Sequence, residues 1–128
     1  MNLNPVLSNP EFDVDTLEVL LEGHLEGSVE VVLVDPGYMR VLNSRYRHID
    51  RSTDVLSFDL SPSDDKRPDG VIYVDGRLFP PYEALLERIF HGYLHLCGFS
   101  HESTIEAEQM QIRVSNMVST AMKGRVNP

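Results

Sequence analysis

The segment His91-Gly92-Tyr93-Leu94-His95-Leu96-Cys97-Gly98-Phe99-Ser100-His101 holds three of the chain's five histidines. Residues four apart on an α-helix project from one face about a turn apart, so the spacing predicts a helix that presents His91 and His95 side by side. Gly98 supplies a residue able to leave that helix with positive φ, as helix C-termini commonly require. The chain can then turn and bring back His101 as a third imidazole. Three nitrogen ligands plus water describe a catalytic zinc site, whereas structural sites usually close all four positions with protein ligands. The expectation is one Zn2+ per chain, bound by His91, His95 and His101.

Zinc proteases of the pattern His-Glu-x-x-His-x-x-Gly-x-x-His share this spacing. Here Gly92 stands where they carry glutamate. That glutamate takes a proton from the zinc-bound water, which glycine cannot do. The metal site is therefore expected without the peptidase's base. Cys97 lies inside the motif but two residues after His95, on a different helix face, which predicts a small buried core residue rather than a ligand.

At 128 residues the chain reads as one domain over 1–128, long enough for a real core and too short for two. Its 41% hydrophobic and 24% charged residues are ordinary for a globular protein. A single cysteine excludes an internal disulfide framework and fits the reducing cytoplasm. No apolar run has the length of a membrane span, and Met-Asn-Leu-Asn-Pro lacks the start of a secretory signal, so neither membrane nor export is expected. Eleven basic against twenty acidic residues give a net charge of −9, which argues against coating nucleic acid with the whole surface. Arg40, Arg45, Arg47, His48 and Arg51 nevertheless cluster with Asp50 as their only acid. Such a patch can hold a phosphate backbone. On composition alone, a solvated, arginine-rich helix end is the plainer reading.

Residues 13–25 carry Val14, Leu17, Leu20, Leu21 and Leu25 at helical spacing after an N-cap Asp13. Ser28–Val34 reads as the clearest strand, broken by Asp35-Pro36-Gly37. A short helix from Tyr38 to Tyr46, a strand from Thr53 to Leu60 and another from Val71 to Asp75 follow. The polar segment Ser61–Asp69, with two prolines, is expected as a mobile surface loop. Pro80 and Pro81 suit the start of a helix over 82–97, whose core face is Leu86, Ile89, Phe90, Tyr93 and Leu96. A last helix from Thr104 to Met122 has the capping pair Ser103 and Glu106 and an apolar stripe of Ala107, Met110, Val114, Met117, Val118 and Ala121. Lys123-Gly124 is expected to end it. The whole predicts an α+β domain, a small sheet packed against helices with the histidines lining a cleft beside it.

Two blocks together carry a family resemblance: His91-Gly-x-Leu-His-Leu-x-Gly-x-x-His101 and Leu42-Asn43-x-x-Tyr46-Arg47-x-x-Asp50-x-x-Thr53-Asp54-Val55-Leu56-Ser57-Phe58. The chain resembles the YbeY family of bacterial endoribonucleases and ribosomal RNA maturation factors, from about residue 28 to 122. The resemblance implies a mixed sheet with the zinc helix beneath it, in a zincin-like arrangement. It also implies hydrolysis of single-stranded RNA phosphodiesters, a role at the end of small-subunit ribosomal RNA and in ribosome quality control, and the ribosome or its small subunit as partner. Three positions depart from the family: Ser100 replaces an aspartate, Asp59 replaces a proline, and Asp69-Gly70 reverses a glycine–aspartate pair. The family's first strand has a counterpart only if Leu3 to Ser8 supplies an edge piece.

Zinc held by the three histidines would lower its water's pKa to near ~7 and polarise a phosphoryl oxygen. Charge that builds on the nonbridging oxygens is best met by a guanidinium. Arg47, at the family's Tyr-Arg position, is the catalytic candidate, with Arg45 as the fallback. Glu102 is the nearest acid to the motif, but acids favour helix starts and its plainer role is at the opening of the last helix. Two other readings compete: a metal hydrolase of another substrate, and a non-catalytic, zinc-stabilised, ribosome-associated binding protein.

Overall fold

Ser28–Val34 is buried along almost its whole length, which suits a strand with neighbours on both sides and layers on both faces. The computed structural model, which describes residues 1–5, 13–61, 67–78 and 81–126, places it so. The order of elements is β1 (Asn2–Pro5), α1 (Val14–Leu21), β2 (Ser28–Val34), α2 (Pro36–Arg47), β3 (Val55–Asp59), β4 (Asp69–Asp75), α3 (Tyr82–Leu96) and α4 (Thr104–Val126). The four strands form one sheet in the order β1-β2-β4-β3. β2 runs parallel to both β1 and β4, while β3 pairs antiparallel with β4 at the other edge. This is the mixed sheet and α+β class that the sequence predicts.

The sheet's alternation splits the core in two. Val29, Val31, Leu33, Ile72 and Val74 face α1, α3 and α4, forming the larger core around the fully buried Phe90, Leu86 and Ile89. Val32, Val34 and Leu56 point the other way and meet Met39 and Leu42 of α2. One helix thus covers one face of the sheet and three cover the other. α3 lies against β3 and β4, which places the histidine motif beneath the sheet.

Several boundaries differ from the sequence reading. α1 ends at Leu21 rather than near residue 25, because Glu22 leaves the helical conformation (φ −57°, ψ 128°). Leu25 still reaches the core, from the following turn. α4 continues past Lys123-Gly124 to Val126. The edge strand at the start covers Asn2–Pro5, and the rest of the Leu3–Ser8 expectation lies outside the described residues. So do residues 62–66 of the expected loop and Pro80, while Asp69 already belongs to β4.

Candidate metal centre

α3 presents His91 and His95 from one face, and the turn behind it returns His101. That turn is a Schellman motif: Phe99 N–H bonds the Leu94 carbonyl at 2.9 Å and Gly98 N–H the His95 carbonyl at 3.0 Å. Gly98 adopts φ +96°, as its place in the motif requires. Nothing would crowd a side chain there, so the requirement is purely one of backbone conformation. Ser103 then caps α4, accepting from Glu106 N–H at 3.1 Å and donating its hydroxyl to the Glu106 carboxylate at 3.0 Å. The three-residue gap between turn and cap holds His101 beside the first two histidines.

The three imidazoles converge, each with a ligand nitrogen within 4.8 Å of the others. His91 Nε2 and His95 Nε2 stand 3.2 Å apart. A tetrahedral zinc with bonds of about 2.05 Å separates its ligands by about 3.3 Å, so this pair already has the right spacing. His101 is exposed and stands in the same group, its ring stacked on His91 with centroids 5.5 Å apart. His95 Nδ1 lies 3.2 Å from the Phe99 carbonyl oxygen. The tautomer that donates Nδ1–H there leaves the Nε2 lone pair aimed into the cluster, an orienting bond typical of metal-bound histidine. The Schellman motif therefore both returns the third histidine and fixes the second.

His91 and His95 favour the uncharged form. Burial, with the other two histidines and Arg88 adding to it, pushes the pKa of His91 down to about 4. His95 is lowered for the same first reason, with contributions from His101 and from Arg47. Neutral imidazole is the form that binds a metal ion, so the donors fit the group at neutral pH. Among the described residues the cluster consists of histidines alone. Glu102 is exposed, its backbone amide bonds Ser100 Oγ at 3.2 Å, and among the described residues its carboxylate is not part of the histidine group. Cys97 corrects the sequence reading: it is exposed rather than buried, because it is the C-cap residue where the chain turns off the packed face. Partial burial of the thiol still raises its pKa, away from the thiolate that metal binding needs.

Gly92 has a structural reason. A Cβ there would lie 2.9 Å from Ile72 Cγ2 and 3.2 Å from both Ser57 Oγ and Val55 Cγ2. α3 presses on the sheet at this point and leaves no room for the protease glutamate. Gly70 behaves alike in this chain, since a Cβ there would meet the Phe58 carbonyl oxygen of β3. The other two departures preserve local turns. Ser100 accepts from the amide two residues on, as an aspartate would, and Asp59 accepts from Ser61 N–H at 2.9 Å as β3 ends.

Arg47 ends α2 exposed, close enough to His95 for its charge to depress that imidazole. Arg45 is exposed two residues earlier, on a different face of α2. Two supporting groups carried no signal strong enough to single them out in the sequence. Asn43 is buried, and its amide nitrogen donates to the Arg51 carbonyl at 2.9 Å, tying down the loop after α2. Arg88 sits three residues before His91 on the same helix face and pairs with Asp54 at 3.1 Å and Glu87 at 3.0 Å. Its helical spacing from His91 was the available clue.

A helix, a glycine turn and a covered mixed sheet thus define an α+β protein with a three-histidine group that could hold a metal ion. The chain belongs to the family described as Endoribonuclease YbeY, whose pattern matches residues 12–86. It is 35% identical to the Endoribonuclease YbeY of Acholeplasma laidlawii, over 78% of this chain and 79% of that protein. With the protein of the same name from Nitratiruptor sp. it shares 38% identity, over 73% and 70% of the two chains. The solution structure of TM1509 from Thermotoga maritima superposes with a TM-score of 0.58 and 29% identity, covering 98% of this chain and 93% of that one. Among the described residues no helix is long and apolar enough to cross a membrane.

Proposed function

We propose that this chain is a zinc-dependent endoribonuclease that cuts single-stranded RNA, with residues 1–128 acting as one hydrolase unit. Ribosomal RNA is its substrate in this reading, at the end of the small-subunit molecule. Its setting is cytoplasmic, on the ribosome or its small subunit, where it serves rRNA maturation and quality control. The observation that carries the reading is the cluster of three converging imidazoles with Arg47 near it. Membership of a family named for endoribonuclease activity supplies the substrate class.

His91, His95 and His101 would hold the zinc, one ion per chain, and the ion would supply a Lewis acid and an activated water. The chain's own contribution is to hold His91 and His95 neutral through burial and to orient His95 through its bond to Phe99. Arg47 offers a planar pair of N–H donors to a nonbridging phosphoryl oxygen as charge develops there. Arg45 is the alternative donor. Gly92 leaves no carboxylate next to the first histidine, so the proton goes to a group elsewhere, including the substrate's own phosphate.

The test pairs metal analysis with cleavage of a defined single-stranded RNA, with and without chelator. Protein purified without added zinc should carry close to one ion per chain, and His95→Ala should lose most of it. Arg47→Ala should stay folded and metal-loaded while cleavage falls more than tenfold. A metal-loaded wild type that binds RNA without cutting it would replace the enzyme with a binding protein. Turnover of a casein-like peptide, lost in His91→Ala while RNA stays intact, would replace the nuclease with a peptidase.

A further inference from the structure

On the face of the sheet opposite the histidine helix, α2 does not cover β3 and β4 completely. A groove of about 430 Å3 remains, lined among others by Tyr38, Val41, Arg45, Tyr46, Phe58 and Tyr73. This volume lies in the ~300–1,000 Å3 range of small-ligand clefts. Four aromatic rings run along it as a chain. Tyr38 and Tyr73 stack with centroids 6.2 Å apart, Phe58 meets Tyr73 edge-on at 5.7 Å, and Tyr46 meets Phe58 edge-on at 5.4 Å. The two inner rings belong to the small core, but the outer ones do not: Tyr38 is 46% and Tyr46 58% exposed. Exposing large aromatic faces in water has no folding advantage and calls for an occupant.

We propose that this groove is a base-stacking subsite for single-stranded RNA, in which Tyr38 and Tyr46 hold unpaired nucleobases and Arg45 holds the phosphates between them. Three observations select this occupant. Arg45 makes no salt bridge among the described residues, unlike Arg40, which Asp50 engages at 2.8 Å. A guanidinium with no salt bridge among exposed rings is locally complementary to a polyanion with flat apolar faces, against the net charge of −9 on the chain as a whole. Tyr46 at the end of the groove also directly precedes Arg47, the residue proposed to act at the metal centre. Stacking recognises any base and excludes a duplex, whose bases are already stacked, so the groove supplies a physical basis for single-strand preference.

The proposal rests on the nuclease reading, and the experiment separates the two. Zinc-loaded protein is titrated with a labelled oligouridylate and with an abasic strand of the same length and charge. Stacking is worth ~1–3 kcal/mol per base, so Tyr38→Leu and Tyr46→Leu should each weaken oligouridylate binding by roughly five- to 150-fold. Binding of the abasic strand and zinc content should stay as in the wild type. Tyr38→Trp should keep or improve binding, which a merely structural loss would not allow. Equal loss for both strands, or no loss for either, overturns the subsite and leaves the groove to another occupant, such as a protein segment. In that case wild-type cleavage of RNA by the same preparation keeps the nuclease reading intact. A zinc-loaded wild type that neither binds nor cuts the oligouridylate overturns both.

Discussion

Gly92 sets, at a single position, how closely the histidine helix approaches the sheet. Alanine would gain about 1 kcal/mol of helix propensity over glycine, but its methyl would be forced against Ile72. Overpacking a tight core commonly costs ~1–3 kcal/mol, so Gly92→Ala should lower the denaturation midpoint, and Gly92→Glu should fail to fold before it could act as a base. An unchanged midpoint for the alanine variant would mean that α3 can lift from the sheet. At the same scale, His91 links stability to pH. Its folded pKa of about 4 lies below the ordinary 6.5 of histidine, so between these values the unfolded chain binds more protons than the folded one. Chelated protein should thus keep its full stability above about pH 6.5. It should lose stability progressively as pH falls toward 4, and His91→Ala should flatten that slope in thermal melts.

At the scale of elements, α2 joins three local signals to one tertiary role. Asp35 caps its start, accepting from Tyr38 N–H at 2.8 Å, and Pro36 occupies the first turn. His48 ends it in the left-handed conformation at φ 60°, where the chain turns back toward buried Asn43. Losing such an N-cap typically costs ~1 kcal/mol, so Asp35→Ala should be destabilised by about that much in urea melts while zinc content is unchanged. A loss of metal instead would show that the histidine cluster depends on the start of α2. The helices and strands were legible because their apolar periods and caps are local: Asp13, Ser103 and Gly98 mark the ends read from them, while α2 starts at Pro36, two residues before the expected Tyr38. Their far ends were less legible. α1 stops four residues early while Leu25 continues its apolar pattern, because a side chain can reach the core from a turn as well as from a helix.

For the whole molecule, the balance between an acidic body and a basic patch governs binding. If Arg45, Arg47 and Arg51 contact phosphates, counterion release on a single strand gives a slope of about −2 for log affinity against log salt, at ~0.7 per contact. RNA titrations across a salt series should show that slope, reduced by close to one such contact in Arg45→Ala; a flat dependence would remove the patch from RNA binding. The sequence by itself determined the α+β class, the order of the elements and the clustering of His91, His95 and His101. These follow from period, capping and an eleven-residue segment with one glycine turn, all of them short-range. Only the tertiary structure decided that Cys97 faces out, that Gly92 lies against Ile72, that Arg88 pairs with Asp54, and that Arg47 reaches His95. The same holds for the aromatic groove, which needs α2, β3 and β4 together. Each of these depends on how distant segments meet across a sheet, and that meeting is set by the shape of the packed core rather than by any local pattern.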